Sequence, residues 1–258
     1  LLDCADPYTY TFHADQSKGV GNTYSWDFGD GAGSTRSGET VTYTFKSAGA
    51  KKVVLTATNG NCSSQDTYWM QVSDEDPVMN ASASSACHGD SVTLSLGNVK
   101  IPQFYSTLTW NDGAGHTLVT KQTGSQVPVA KFAYAANGSY TPSVHITFLN
   151  GCAKDVTGPA ITVHGPTASF TTSTDEVCQG NVVTFTDQSI PNPAGAAITR
   201  WVWSYGDKQA DTTATGSSVH TYVDNGTFRS RLTVTDANGC SDETSTTSNV
   251  LIVNPSKP

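Results

Sequence analysis

Tyr24-Ser25-Trp26-Asp27-Phe28-Gly29-Asp30-Gly31 sets three aromatic residues at alternate positions and ends in a Gly-Asp-Gly turn. Side chains of a strand alternate between its faces, so Tyr24, Trp26 and Phe28 share one face. An aromatic slab of that size belongs in a core, and Gly29-Asp30-Gly31 turns the chain sharply behind it. Two related stretches follow. Trp201-Val202-Trp203-Ser204-Tyr205-Gly206-Asp207 keeps both the alternation and the turn, whereas Leu108-Thr109-Trp110-Asn111-Asp112-Gly113 keeps less of either. Trp26, Trp110 and Trp203 are therefore expected in three separate cores.

The surrounding sequence repeats with them. An aromatic residue, a glycine four positions later and a cysteine after an alternating run recur as Phe45/Gly49/Cys62, Tyr134/Gly138/Cys152 and Tyr222/Gly226/Cys240. A period of roughly ninety residues means tandem copies of one small domain. The expected copies are 1–76, 77–165 and 166–258, with joints at Asp76-Pro77 and Gly165-Pro166, where proline interrupts a strand ladder. Phe228, Leu232 and Val234 mark an alternating strand in the third copy, as do Tyr140, Val144, Ile146 and Phe148 in the second and Val53, Leu55 and Ala57 in the first. Each run ends in Asn-Gly, at 59–60, 150–151 and 238–239, which predicts a two-residue hairpin and an antiparallel strand directly after it. Those following strands are expected at 68–72, 160–163 and 250–253, and earlier ones at 8–12, 92–96 and 182–185. About seven short strands per copy read as a β-sandwich.

Composition narrows the function. Of the 258 residues 14% are charged, the formal net charge is −8 and the isoelectric point is near 5.0. Nucleic-acid and anionic-membrane surfaces need clustered Lys and Arg, so neither is expected as a partner. No run of 18 apolar residues is present, so no helical membrane insertion is expected. The chain opens at Leu1-Leu2-Asp3-Cys4 without a signal-peptide pattern, and the first copy lacks the opening strand of the other two; it reads as a fragment of a longer exported protein. His-Glu-x-x-His, Gly-x-Ser-x-Gly and Walker patterns are missing, and the six histidines (13, 88, 116, 145, 164 and 220) have no metal-type spacing. An enzyme is not expected.

Trp-Asp-Phe-Gly-Asp-Gly, together with His220-Thr221-Tyr222 and Gly226-Thr227-Phe228, resembles the PKD (polycystic kidney disease) domain. The resemblance spans nearly all of copies one and three, while copy two is PKD-like. It implies an all-β chain of three tandem immunoglobulin-like sandwiches in an elongated array. Cys87-His-Gly-Asp-Ser-Val-Thr and Cys178-Gln-Gly-Asn-Val-Val-Thr are similar to PKD-like repeats of large surface adhesins and secreted proteins of gliding, biofilm-forming bacteria. Cell-surface display or secretion is what that likeness implies. Six cysteines, two per copy, independently suggest disulfides and an oxidising compartment.

Two pairings are open. Within copies the bonds would be Cys4–Cys62, Cys87–Cys152 and Cys178–Cys240. In the immunoglobulin-like topology that the resemblance implies, however, the two cysteines of one copy lie at opposite poles, roughly 20 Å apart for six-residue strands. A disulfide needs Cα atoms within about 7 Å. The alternative is bridging between copies, Cys4–Cys152 and Cys87–Cys240, with Cys62 and Cys178 bonded to further neighbours.

Asp27, Asp30 and Asp207 offer calcium-type oxygens, but an Asp in such a turn ordinarily caps backbone N–H groups, and that is the expectation. Asp74-Glu75-Asp76 at the first joint is the better calcium candidate, beside the reading of a solvated linker. No other cofactor is expected. Trp69, Phe104 and Tyr105 are candidates for an exposed sugar-stacking surface, against the ordinary reading that Trp69 is buried at a joint and Phe104 and Tyr105 cover a sandwich edge. Asn80-Ala-Ser and Asn225-Gly-Thr are formal glycosylation acceptors. Two functions remain: a structural and adhesive stalk whose many linked contacts reinforce one another, and a carbohydrate-binding accessory region of a secreted polysaccharide-degrading enzyme or protease. The partners expected are extracellular polysaccharide or a surface protein, and neighbouring repeats.

Overall fold

The alternating runs become strands in the computed structural model, which describes residues 4, 6–15, 21–192, 196–246 and 250–253. Leu1, Leu2 and Asp3 lie outside the described residues. The first copy carries β1 (Thr9–His13), β2 (Thr23–Asp27), β3 (Thr35–Ser37), β4 (Thr40–Thr44), β5 (Gly49–Asn59) and β6 (Cys62–Val72). The second carries β7 (Val78–Ala81), β8 (Ser85–Cys87), β9 (Ser91–Gly97), β10 (Tyr105–Asn111), β11 (Thr117–Lys121), β12 (Ala130–Ala133), β13 (Gly138–Tyr140), β14 (Ser143–Phe148), β15 (Ala153–Thr157) and β16 (Ile161–His164). The third carries β17 (Phe170–Thr172), β18 (Glu176–Cys178), β19 (Val182–Asp187), β20 (Ile198–Ser204), β21 (Ala210–Thr213), β22 (Ser217–Thr221), β23 (Gly226–Phe228), β24 (Arg231–Asp236), β25 (Ser241–Ser245) and β26 (Val250–Val253). Among the described residues the one helical element is a 3-10 turn at Pro102–Phe104.

The same four-stranded sheet occurs three times, in the orders β3-β2-β5-β6, β11-β10-β14-β15 and β21-β20-β24-β25. Facing sheets have three strands in the later copies, β12-β9-β7 and β17-β19-β22, and two in the first, β1-β4. Parallel pairs, β8 with β16 and β18 with β26, are the mark of an immunoglobulin-like sandwich rather than a simple meander.

The strands after the Asn-Gly turns differ from expectation in two copies. β6 follows its turn directly, with Asn59 opposite Cys62. In the others the strand that follows is β15 or β25, and the expected strands near 160–163 and 250–253 belong to a different sheet. There the loop is one residue longer: Phe148 N–H bonds Cys152 O and Asp236 N–H bonds Cys240 O. The glycine alone takes positive φ, +87° at Gly151 and at Gly239, as in three-residue hairpin loops.

The chain forms two compact units. One comprises Leu1–Ala81, Leu94–Ala130 and Thr141–Pro159; the other comprises Ser82–Thr93, Lys131–Tyr140 and Ala160–Pro258. Residues of the second copy thus contribute to both. In the first unit Tyr10, Trp26, Phe28, Val41, Tyr43, Phe45 and Val53 are buried in one core. In the second, Val183, Phe185, Trp203, Tyr205, Tyr222, Leu232 and Val234 form its counterpart. Trp110 is fully buried as well.

Candidate functional site

All three turns use a glycine three positions after the core tryptophan, and each needs it. Gly29, Gly113 and Gly206 have φ of +60°, +79° and +89°, and an added Cβ would lie 2.8, 2.7 and 2.6 Å from backbone oxygen or nitrogen of the neighbouring strand or loop. Only glycine tolerates both constraints. The second copy therefore keeps the turn glycine, although its Asp precedes it.

The turn aspartates cap and pair, as expected of turn residues. Asp27 accepts from Gly29 N–H at 3.0 Å and Ser34 Oγ at 2.9 Å, and the Gly29 amide leads in holding its carboxyl below the ordinary range. Asp30 accepts from Lys46 N–H at 2.7 Å, Tyr43 Oη at 3.3 Å and Lys51 Nζ at 2.9 Å. Burial opposes its ionisation, but the Lys46 amide and Lys51 ammonium outweigh that and lower its pKa. Lys51 is itself buried. Asp207 instead meets His220 Nε2 at 2.7 Å, and the His220 ring stacks on Tyr205 at 4.0 Å, just as Tyr43 stacks on Phe28 at 4.1 Å. In the second copy Asp112 occupies the place of Phe28 and Tyr205; it is buried and receives bonds from Ala114 N–H, His116 N–H and His116 Nδ1.

The acidic run at the first joint is taken up by protein donors. Asp74 pairs with Lys100 Nζ at 2.9 Å and accepts from Tyr8 Oη at 3.0 Å, and Asp76 pairs with Lys154 at 2.6 Å. Glu75 accepts from Lys100 N–H, Ile101 N–H and Tyr105 Oη. This run is a clasp on the 98–105 segment rather than a solvated linker. Burial, then the Glu75 carboxylate, pushes the Tyr105 phenol far up.

The cysteines bond between copies. Cys4 is joined to Cys152, with Cα atoms 5.5 Å apart, and Cys87 to Cys240, at 5.3 Å. Cys62 and Cys178 are free and exposed, the two that bridging between copies leaves without a partner in this chain, and the within-copy bonds Cys4–Cys62, Cys87–Cys152 and Cys178–Cys240 are not formed. Cys178 stands in the same turn as Cys87. Gly180 N–H bonds Tyr222 O and Asn181 N–H bonds Cys178 O, as Gly89 N–H bonds Tyr134 O and Asp90 N–H bonds Cys87 O.

Among the described residues one trio of metal-ligating types converges, His164, Asp236 and Cys240, with ligand atoms within 4.8 Å. Its sulfur is spent in the Cys87 disulfide. Asn192 Nδ2 donates to both His164 Nδ1 and Asp236 Oδ2 at 3.0 Å, so the trio reads as a bonded buried network around the staple.

The aromatic candidates separate. Trp69 is 65% exposed, contrary to the reading that buries it at a joint, and Tyr68 beside it is equally open on edge strand β6. Phe104 and Tyr105 are 5% and 1% exposed and pack on Phe148, at 5.4 and 5.2 Å, so neither can stack on a sugar. Lys51 was not evident as a site residue in the sequence; its signal is a cation at an inward position between Gly49 and Val53.

These features define tandem immunoglobulin-like β-sandwiches with paired aspartate turns and cysteine staples between copies. Residues 4–72 and 163–251 each match the PKD domain, and the chain belongs to that family. It is similar to the PKD1 domain of the Vibrio cholerae metalloprotease PrtV, at 28% identity and a TM-score of 0.28, over 33% of this chain and 96% of that one. The PKD1 domain of Vibrio anguillarum Epp has 24% identity and a TM-score of 0.29, over 34% and 96%. Carbohydrate-binding modules of the β-sandwich superfamily have 27% identity and a TM-score of 0.33, over 35% of each chain. No curated protein matches the chain.

Proposed function

We propose that this chain is a non-catalytic structural and adhesive stalk segment of a long bacterial surface protein, displayed outside the cell, with three modules at 1–76, 77–165 and 166–258. The observation that carries the reading is the pair of disulfides joining successive copies, Cys4–Cys152 and Cys87–Cys240. A covalent bond between modules resists extension in a way that an isolated binding module does not need. Disulfides also suit an oxidising exterior, and no helix among the described residues is long and apolar enough to cross a membrane. The partners proposed are neighbouring repeats, reached through Cys62 and Cys178, and extracellular polysaccharide or surface protein. Single-molecule stretching tests this: the oxidised chain should release much less length on unfolding than the reduced chain. Equal contour lengths before and after reduction would remove the stalk reading.

A second reading, a carbohydrate-binding accessory region, is favoured by the exposed Trp69. Aromatic faces left in water on an edge strand suit stacking on sugar rings. Saturable retention on a panel of insoluble and surface polysaccharides, abolished in Trp69→Ala, is its expected outcome.

A further inference from the structure

Three strands of the second unit end at one place, and each ends in a residue that can bind a metal. Cys87 closes β8, His164 closes β16 and Asp236 closes β24. β8 and β16 pair in parallel with His164 opposite Cys87, and Cys240 returns to the same end in the hairpin after Asp236. His164 Nδ1 stands 3.5 Å from Cys240 Sγ. Cys87 is brought in by its bond to Cys240, so four ligand types meet around one point.

The surroundings are those of a cation site. Asp236 is 2% exposed and accepts from Asn238 N–H and Cys240 N–H at 2.9 Å and from Asn192 Nδ2 at 3.0 Å. Among the described residues no ion pair reaches it. A buried carboxylate held by dipoles alone has room for a positive charge. The histidine is oriented to match. An amide nitrogen only donates, so Asn192 Nδ2 marks His164 Nδ1 as the nitrogen with the lone pair, and Nε2–H donates to Ser85 Oγ at 2.8 Å. A metal-binding imidazole is held in this way, its lone pair turned inward and its other N–H anchored. The spacing agrees as well. Zinc bonds of about 2.05 Å to nitrogen and about 2.3 Å to sulfur, at a tetrahedral angle, place the two ligand atoms about 3.5 Å apart. His164 Nδ1 and Cys240 Sγ already have that separation.

We propose that reduction of the Cys87–Cys240 bond opens a tetrahedral Zn2+ site, with Cys87 Sγ, Cys240 Sγ, His164 Nδ1 and the Asp236 carboxylate as ligands and Ser85 as the residue that positions His164. The reductant is a dithiol, which closes to its own disulfide, or a phosphine with water, which becomes the phosphine oxide. Either delivers two electrons and two protons and leaves two thiols. Zn2+ then takes both sulfurs as thiolates and releases two protons to solvent. Asn192 Nδ2, which lies 3.0 Å from both His164 Nδ1 and Asp236 Oδ2, gives up that place to the ion. In the oxidised chain neither sulfur is a thiolate, so the disulfide and the metal exclude one another. The same residues of copies two and three stay joined in either state, by a covalent bond in one and by a metal in the other. This site is separate from the stalk reading, which concerns the oxidised chain.

The test uses the whole chain with Cys62→Ser and Cys178→Ser, which remove the exposed thiols. It is reduced with a phosphine, freed of metal and titrated with Co2+ while absorbance is followed. Saturation at one ion per chain is expected, with the visible bands of tetrahedral Co2+ and thiolate charge transfer in the near ultraviolet, both abolished by Zn2+. The unreduced chain should show neither. His164→Ala and Asp236→Asn should each weaken binding tenfold or more, His164→Cys should restore it, and Ser85→Ala should weaken it roughly tenfold. As a separate readout, Zn2+ should raise the melting temperature of the reduced chain and leave that of the oxidised chain unchanged, and His164→Ala should remove the rise. Absence of the tetrahedral spectrum together with no thermal shift overturns the proposal. So does Co2+ binding indifferent to His164→Ala, which keeps every thiol and would mean adventitious thiolate binding only.

Discussion

The first and third copies share one aromatic ladder and differ in what surrounds it. Phe12, Trp26, Phe28 and Tyr43 stand where Phe185, Trp203, Tyr205 and His220 stand, with ring distances that agree to within an ångström. Above the ladder the third copy has Phe170, edge-on to Trp203. Beside it, the turn aspartate of the first copy meets a buried lysine, and that of the third meets a histidine. A core pattern can thus be held constant while its electrostatic surroundings diverge.

The largest expected effect tests whether the two staples are equivalent. They span similar sequence separations, 148 for Cys4–Cys152 and 153 for Cys87–Cys240. Chain-entropy considerations make each worth about 4–5 kcal/mol. Double Cys→Ser replacement of either pair should lower denaturant stability comparably. A clearly larger loss for Cys87/Cys240 would assign extra weight to the His164, Asn192 and Asp236 network around it.

Core truncation comes next. Trp203→Ala should cost roughly 3–5 kcal/mol by urea denaturation, as a buried large side chain does. Trp26→Ala should cost less, because that ring is less completely buried. Equal costs would mean that Phe170 adds nothing to its copy.

Asp30→Ala leaves the buried Lys51 ammonium unpaired and should cost about 3 kcal/mol. Asp207→Ala removes the hydrogen-bond partner of His220 Nε2, at about 1–2 kcal/mol. The first copy also acquires an acid sensitivity. The folded pKa of Asp30 lies below its ordinary 3.8, so its contribution is complete above that value and is lost as pH falls through the folded value. Melting temperature followed downward from about pH 5 should show a slope that Asp30→Asn flattens. The smallest change is Trp69→Ala, within about 0.5 kcal/mol, since the ring is largely in water.

Much of this fold is legible in residues alone. The Gly29 and Gly206 turns, the alternation of Tyr24, Trp26 and Phe28, and the Asn-Gly hairpins report local geometry, and local geometry is what a short stretch of sequence encodes. Copy two is harder to read. Asp112 replaces an aromatic at the turn, and its buried carboxylate is satisfied by Ala114 N–H, His116 N–H and His116 Nδ1. The Glu75 run looks like a linker because its donors, Ile101 N–H and Tyr105 Oη, lie about thirty residues further along.

The sequence by itself determined the repeat, the sandwich class and the aromatic cores, because strand periodicity and the steric demand for glycine at positive φ act within a few residues. Tertiary structure alone decided that Trp69 is open while Phe104 and Tyr105 are buried, that Lys51 neutralises Asp30, and which cysteines meet. Each of these depends on which distant strands become neighbours, and a cysteine bonds only to another within a few ångströms of it.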